Sequence, residues 1–329
     1  MVPPLARFAP RLLALSALVA GGAGCVTRTS TTSSVTELPA GTEAVSLFRE
    51  PLRAPSLAPE VKQRLEADLA AARSALNAHP DSALALIWVG RRLGYLGRFQ
   101  EAIEVFSQGV AKYPADARFL RFRGHRYISV RSFANAEDDL ARARQLQLGV
   151  ADEVEPDGAP NARGIPTSTL QTNIRYHLGL AQHLQGRFAQ AAETFREDLA
   201  VAPNVDTRVA TSYWLHETLR RLGRAAEARR VLDPITRDLP VIENGSYHRL
   251  LLLYKGELPP DSLLGPTPGA VNALDEATMG NGIGTWHLLN GRRAEAVAWY
   301  RRSLASGSWA SFGCIAAEAE LHRLGEQPR

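Results

Sequence analysis

The stretch Gly90–Pro114 reads GRRLGYLGRFQEAIEVFSQGVAKYP. Leu86, Val89, Leu93 and Leu96 fall at helical spacing, as do Ala102, Ile103, Phe106 and Val110, and Gly97-Arg98 lies between the two sets. This pattern predicts two short amphipathic helices joined by a tight turn. Small residues at Gly90 and Ala102 let the helices approach closely, Phe99 and Phe106 fill the space between them, and Pro114 ends the second helix.

The pattern returns. Gly124, Tyr127, Phe133, Ala136 and Leu140 lie 34 residues after Gly90, Leu93, Phe99, Ala102 and Phe106. Leu178, Gly179, Gly186, Phe188, Ala191, Phe195 and Pro203 form a third set, and Leu215, Leu219, Gly223, Ala228 and Leu232 a fourth, with His216 where glycine is usual. Gly284, Trp286, Gly291, Ala296 and Tyr300 form the last, and the 68 residues from Ala228 to Ala296 leave room for one degenerate unit between. On Gly90, Leu93, Gly97, Phe99, Ala102, Phe106 and Pro114 the chain resembles the tetratricopeptide repeat, a 34-residue helix-turn-helix unit. Leu86 replaces the tryptophan usual early in the unit. The resemblance implies an all-α fold, a right-handed α-solenoid of such hairpins.

The expected units are about 83–116, 117–148, 172–205, 209–242, a degenerate 243–276, and 277–310, with a closing helix at 311–325 to cover the last apolar face. Pro59-Glu60 suits a helix start, and Leu65, Leu69, Ala72 and Leu76 continue that helix to Ala78. In the degenerate unit Tyr247 to Tyr254 reads as an apolar helix, and a short helix from Ala270 to Ala277 stands in for its second half. Between repeats, residues 149–166 (GVADEVEPDGAPNARGIP) lose the periodicity and read as an inserted loop.

With 329 residues, 45% of them hydrophobic, the chain can bury a large core or a long stack of small ones. Its net charge is +4, and there is no Lys/Arg block interleaved with aromatics, so nucleic acid is not an expected partner. Residues 1–24 read as an export signal, with Arg7 and Arg11 before an apolar run from Leu12 to Ala20 that is too short to span a bilayer. Removing that signal takes the charge from +4 to +2. Ala23 and Gly24 before Cys25 resemble a bacterial lipoprotein signal, although Gly22 stands where Leu, Val or Ile is usual. The resemblance implies lipidation of Cys25 and a membrane held through its acyl chains. Residues 25–58, Ser/Thr-rich at first, read as a flexible tether carrying the solenoid of 59–329. Val26 and Thr27 lack the acid that retains such proteins at the inner membrane, so the expected place is the outer membrane, facing the periplasm.

Local chemistry is sparse. Cys25 and Cys314 are too few for a disulfide framework or a zinc site, and Cys314 reads as a buried thiol in the closing helix. Gly280, Gly282 and Gly284 spell GxGxG without a preceding strand, so close helix packing explains them better than a phosphate loop. Glu153, Glu155, Asp157 and Gly158 mimic the start of an EF-hand, but Gly164 stands in place of its closing glutamate. His177 and His183 are six residues apart with no acid to complete a metal set, and His216-Glu217 lacks a second histidine. The run Glu137-Asp138-Asp139 reads as a solvated helix face. No cofactor, metal or catalytic constellation is expected.

The tetratricopeptide resemblance places the first helix of each hairpin on the inner surface. Its exposed positions become Trp88, Arg91, Tyr95, Arg121, Phe122, His125, Asn173, Tyr176, His177, Tyr213, Trp214, Glu217, Arg220 and Arg221. Aromatics and arginines dominate, the residue types that anchor interfaces. Members that bind chaperone tails grip a terminal carboxylate with Lys and Asn, and here Ile87, Arg91 and Phe122 occupy three of those places. The expected function is a non-catalytic scaffold of the cell envelope that holds a protein or extended peptide in its concave groove. The alternative is an envelope binding protein for a small molecule or cell-wall glycan, held between the degenerate unit and the 149–166 insertion.

Overall fold

The computed structural model describes residues 39–158, 160–269 and 271–329. The export signal, Cys25 and the tether as far as residue 38 lie outside them. From Pro39 the chain is not a tether. β1 (Thr42–Val45) and β2 (Pro51–Arg53) form an antiparallel hairpin that lies on the helical body. The Gln100 amide donates to the Glu43 carboxylate at 3.0 Å, and the Trp309 indole donates to the Arg53 carbonyl at 2.8 Å. Thr42, Ala44 and Ser46 are buried, an alternation too short to stand out among polar residues.

After α1 (Pro59–Ala78) come four helical hairpins: α2 (Ala83–Tyr95) with α3 (Phe99–Lys112), α4 (Ala117–Ser129) with α5 (Phe133–Leu146), α6 (Leu170–Leu184) with α7 (Phe188–Val201), and α8 (Val205–Arg221) with α9 (Ala225–Leu232). Side-chain caps set their starts. Ser82, Asp116 and Asn204 accept backbone amides at the heads of α2, α4 and α8, and Thr169 forms a reciprocal capping box with Thr172 at α6. Gly97, Gly186 and Gly223 make the inner turns in the left-handed conformation. Within the first hairpin, a Cβ on Gly90 would lie 2.4 Å from the Phe106 ring, so the close crossing depends on the missing methyl.

The degenerate unit keeps one helix, α10 (Gly245–Lys255), followed by a 3₁₀ turn at Pro260–Ser262. Of the helix expected at Ala270–Ala277, residue 270 lies outside the described residues and residues 273–277 are the first turn of a longer helix: Asn272 caps α11 (Ala273–Leu289), which pairs with α12 (Arg293–Ala305) before α13 (Phe312–Leu324). A second expectation also fails, because Glu137 and Asp139 are buried rather than solvated. Helix α5 lies between α4 and α6, where Arg123 grips Asp139 through two 2.7 Å bonds and Arg187 meets Glu137 at 2.8 Å. The described chain is an all-α solenoid of tetratricopeptide-type hairpins, with the entry β-hairpin as its only sheet among the described residues.

The stack also differs from an open groove. It curls far enough for α13 to reach the inner faces of the middle hairpins. Arg131, after α4, forms a buried ion pair with Glu318 of α13 at 2.7 Å, and Leu47 of the entry hairpin donates its amide to the same carboxylate. Arg221 on α8 pairs with Glu320 at 3.0 Å, and Arg323 donates to the carbonyls of His183 and Leu184 at the end of α6. The closing helix therefore occupies part of the groove as well as capping α12.

Candidate functional site

Where α13 stops short of filling the groove, a cavity of about 400 Å³ remains. Its floor comes from the inner faces of α2, α4 and α6, through residues such as Arg91, Arg121, Phe122, His125, Arg126 and Tyr176. The 149–166 insertion and the residues just after it supply Glu155, Thr167 and Ser168, the degenerate unit supplies Glu243, Asn244 and Tyr247, and α13 supplies Phe312. The insertion is tied down by a strand-like bridge between Val154 and Thr169 and by Asp152, which accepts from the Thr169 hydroxyl and the Gln171 amide.

One wall is a cluster of rings. His125 and His177 lie 4.5 Å apart between centroids, and Phe312 closes on them at 5.3 and 5.5 Å. Burial holds both imidazoles well below their ordinary pKa, with nearby arginines adding to the effect, so both are neutral at physiological pH. Their hydrogen bonds agree with that. His177 Nδ1 donates to the Asn173 carbonyl at 2.6 Å, and His125 Nδ1 accepts from Arg121 at 3.3 Å.

The charge lies beside this ring cluster. The Arg91 and Arg121 guanidiniums lie over the Phe122 ring at 4.9 and 4.7 Å. Arg121 donates to Glu155 at 3.0 Å. Its second contact, Nε to Oε2 at 2.8 Å, is out of line for a hydrogen bond, so one bond and Coulomb attraction hold this buried pair. Arg126 lies over Phe99 at 5.2 Å, and burial together with Arg121 and Arg91 lowers its pKa to about 10.

Of the inner-face residues expected from the sequence, Arg91, Tyr95, Arg121, Phe122, His125, Asn173, Tyr176 and His177 meet at this cavity. Trp88 lies beside it under Arg91 and Arg92, at 4.4 and 5.1 Å from their guanidinium carbons. The other five are corrected, because α10, α11 and α13 cover them. Tyr213 and Trp214 are fully buried, with the Trp214 indole donating to the Tyr176 hydroxyl at 2.8 Å. Glu217 is 1% exposed and accepts from Tyr254. Arg220 donates to the Leu289 carbonyl, and Arg221 is taken by Glu320.

Arg126, Glu155, Glu243, Tyr247 and Phe312 were missed as site residues. Glu155 and Glu243 carry a sequence signal only in lying in the insertion and the degenerate unit, where the repeat pattern breaks. Phe312 carries none, because its helix looked like an end cap. Among the described residues no three His, Cys, Asp or Glu side chains gather in a way that could hold a metal.

Fold and cavity together define a class: a tetratricopeptide-type α-solenoid curled around an internal pocket. No protein-family model and no curated protein sequence matches the chain. Among solved structures it is similar to a tetratricopeptide repeat protein from Parabacteroides merdae, at 14% identity over 79% of this chain and 93% of that one, with a TM-score of 0.47. It is also similar to Pseudomonas aeruginosa PilF, at 17% identity over 73% and 82% with a TM-score of 0.43. A third is YrrB, described as a tetratricopeptide repeat protein with an unusual peptide-binding site, at 12% identity over 72% and 92% with a TM-score of 0.41.

Proposed function

We propose that the protein is a non-catalytic binding protein whose site is this cavity, and that its ligand is a small molecule. The observation that carries the reading is the cavity's composition. About a third of its lining comes from the parts of the chain that break the repeat, and α13 interrupts the groove along which an extended chain would lie. A volume of about 400 Å³ lined by aromatics, with a few convergent polar groups, is the usual form of a small-ligand site. A second reading has one observation in its favour. A neighbouring hollow of about 150 Å³ shares Arg91, Glu155, Thr167, Ser168 and Glu243 with the cavity, giving the end of a peptide a track inward.

The test is calorimetry on the full chain in detergent, with wild type set against Asn173→Trp, which puts an indole into the cavity. Envelope metabolites, cell-wall fragments and short peptides are the ligands to titrate. Binding to wild type that Asn173→Trp abolishes supports the reading, and binding that survives it removes the cavity as the site.

Placement in the envelope rests on the sequence alone: the apolar run from Leu12 to Ala20, the small residues after it, and Cys25. No helix among the described residues is long and apolar enough to cross a membrane. An acyl anchor on Cys25, holding the protein at the outer membrane on the periplasmic side, fits that pattern. Cys25→Ser should then move the protein from the membrane to the soluble fraction, and retention on membranes would sink the anchor.

A further inference from the structure

The cavity's charges do not balance within the protein. Its lining carries three guanidiniums, on Arg91, Arg121 and Arg126, against two carboxylates, on Glu155 and Glu243. Glu155 is engaged by Arg121. Glu243 accepts from Asn161 and Thr167 and meets no arginine at ion-pair distance among the described residues. Arg91 donates to the Pro156 carbonyl at 2.6 Å and to the Tyr95 hydroxyl at 3.2 Å, both uncharged.

Arg126 is the outlier. Among the described residues its guanidinium has no ion pair and no hydrogen-bond acceptor, only the Phe99 face, while two further arginines raise the local positive potential. A guanidinium carries five N–H donors, and a partly buried one without a counter-ion is costly unless something else supplies the acceptor. It lines the cavity, so the acceptor can come from a ligand.

We propose, building on the cavity as the binding site, that its ligand is a small aromatic carboxylate. The carboxylate pairs with Arg126, and the ring lies against the wall of His125, His177 and Phe312. The lining's surplus of one positive charge matches a monoanion rather than a phosphate dianion. A guanidinium's planar fork also matches the two oxygens of a carboxylate. The rings of that wall offer edge and face contacts to an aromatic ligand. The site differs from a groove that grips a peptide tail, since the insertion and the residues after it, the degenerate unit and α13 supply about a third of its lining and close it off.

The test is calorimetry on the full chain in detergent with benzoate, phenylacetate and 3-phenylpropionate, each against its own amide, and with inorganic phosphate. At least one acid should bind wild type about tenfold or more tighter than its amide. Arg126→Gln should erase that preference, and Arg126→Lys, which keeps the charge, should retain most of it. The Lys variant and Phe312→Ala, which should weaken acid and amide alike, keep the test decisive if Arg126→Gln fails to fold. The proposal is overturned if acid and amide bind equally, if the preference survives in Arg126→Gln, or if phosphate outcompetes every acid. Amides that bind without any gain for the acids remove the charge pairing and leave the cavity as a binding site. If none of the ring compounds binds, the small-aromatic assignment falls, and the Asn173→Trp comparison with other ligands decides separately whether the cavity is a site.

Discussion

Arg131 occupies the position that Gly97, Gly186 and Gly223 hold in the other inner turns. It adopts the same left-handed backbone, at φ 65°. A branched-out side chain there costs about 1 kcal/mol relative to glycine. What offsets the strain is visible: the guanidinium is 3% exposed, pairs with Glu318, donates to the Ser129 and Trp309 carbonyls, and lies over the Trp309 ring. One residue thus turns the second hairpin and fastens the closing helix. Arg131→Ala keeps the strain and loses the clamp, and it leaves Glu318 buried without its cation, so a loss of about 3–5 kcal/mol is expected in urea unfolding. Arg131→Gly loses the same clamp but relieves the backbone, so it should be about 1 kcal/mol more stable than the alanine variant. Equal stabilities would show that the left-handed turn carries no strain. Arg131→Ala combined with Glu318→Gln should cost less than the sum of the two single changes, since neither charge is then left alone.

At the scale of helices, the hairpin is the unit that sequence spacing specifies, and its tightness can be tested. A methyl on Gly90 would meet Phe106 ring carbons at 2.4–2.9 Å, so Gly90→Ala should cost about 1–3 kcal/mol. The fourth hairpin indicates the remedy, because a larger residue, His216, stands at the glycine position there and a smaller one, Leu232, at the position of Phe106. Adding Phe106→Leu to Gly90→Ala should therefore recover part of the loss, and a double variant as unstable as the two costs combined would argue against this reading of the crossing. Such local pairs are why α2 to α8 were legible from Gly90, Ala102, Phe106 and their copies. What was not legible depends on partners far along the chain. Nothing near Glu318 signals that it meets Arg131, 187 residues earlier, and nothing in Glu137-Asp138-Asp139 reveals the arginines of α4 and the α6–α7 turn. The site followed the same division: Arg91, Arg121, His125 and Tyr176 came from repeat positions, whereas Phe312 arrives only because the stack curls.

Closure of the whole molecule buries titratable groups in its centre, and that sets how its stability responds to pH. Glu217 on α8 lies where α10 and α11 meet it. Burial pushes its pKa up to about 8 in spite of hydrogen bonds from Tyr254 and Tyr213. Asp198 rises to about 7, again through burial, with the Thr211 hydroxyl as partial compensation. Both groups hold a proton in the folded state that they would release on unfolding at neutral pH, so stability falls as pH rises from the ordinary carboxylate range through these values. The histidines act in the opposite sense. Burial lowers His216 to about 4 and holds His125, His177 and His183 well below 6.5, so the unfolded chain binds protons that the folded one refuses. Their contribution is lost as pH falls below the unfolded imidazole value. The melting temperature should peak at about pH 6–7 and decline on both sides. Glu217→Gln keeps an acceptor for Tyr254 and removes the ionisation. It should recover of order 1–3 kcal/mol of stability at pH 9 relative to pH 5 and steepen the rise of the acid limb above the ordinary carboxylate range, since the opposing Glu217 slope is gone. Calorimetric scans of wild type and variant from pH 4 to pH 9 would decide it. If the alkaline limb of the variant parallels that of wild type, Glu217 is already ionised in the folded protein, and the centre of the curled stack is wetter than its burial implies.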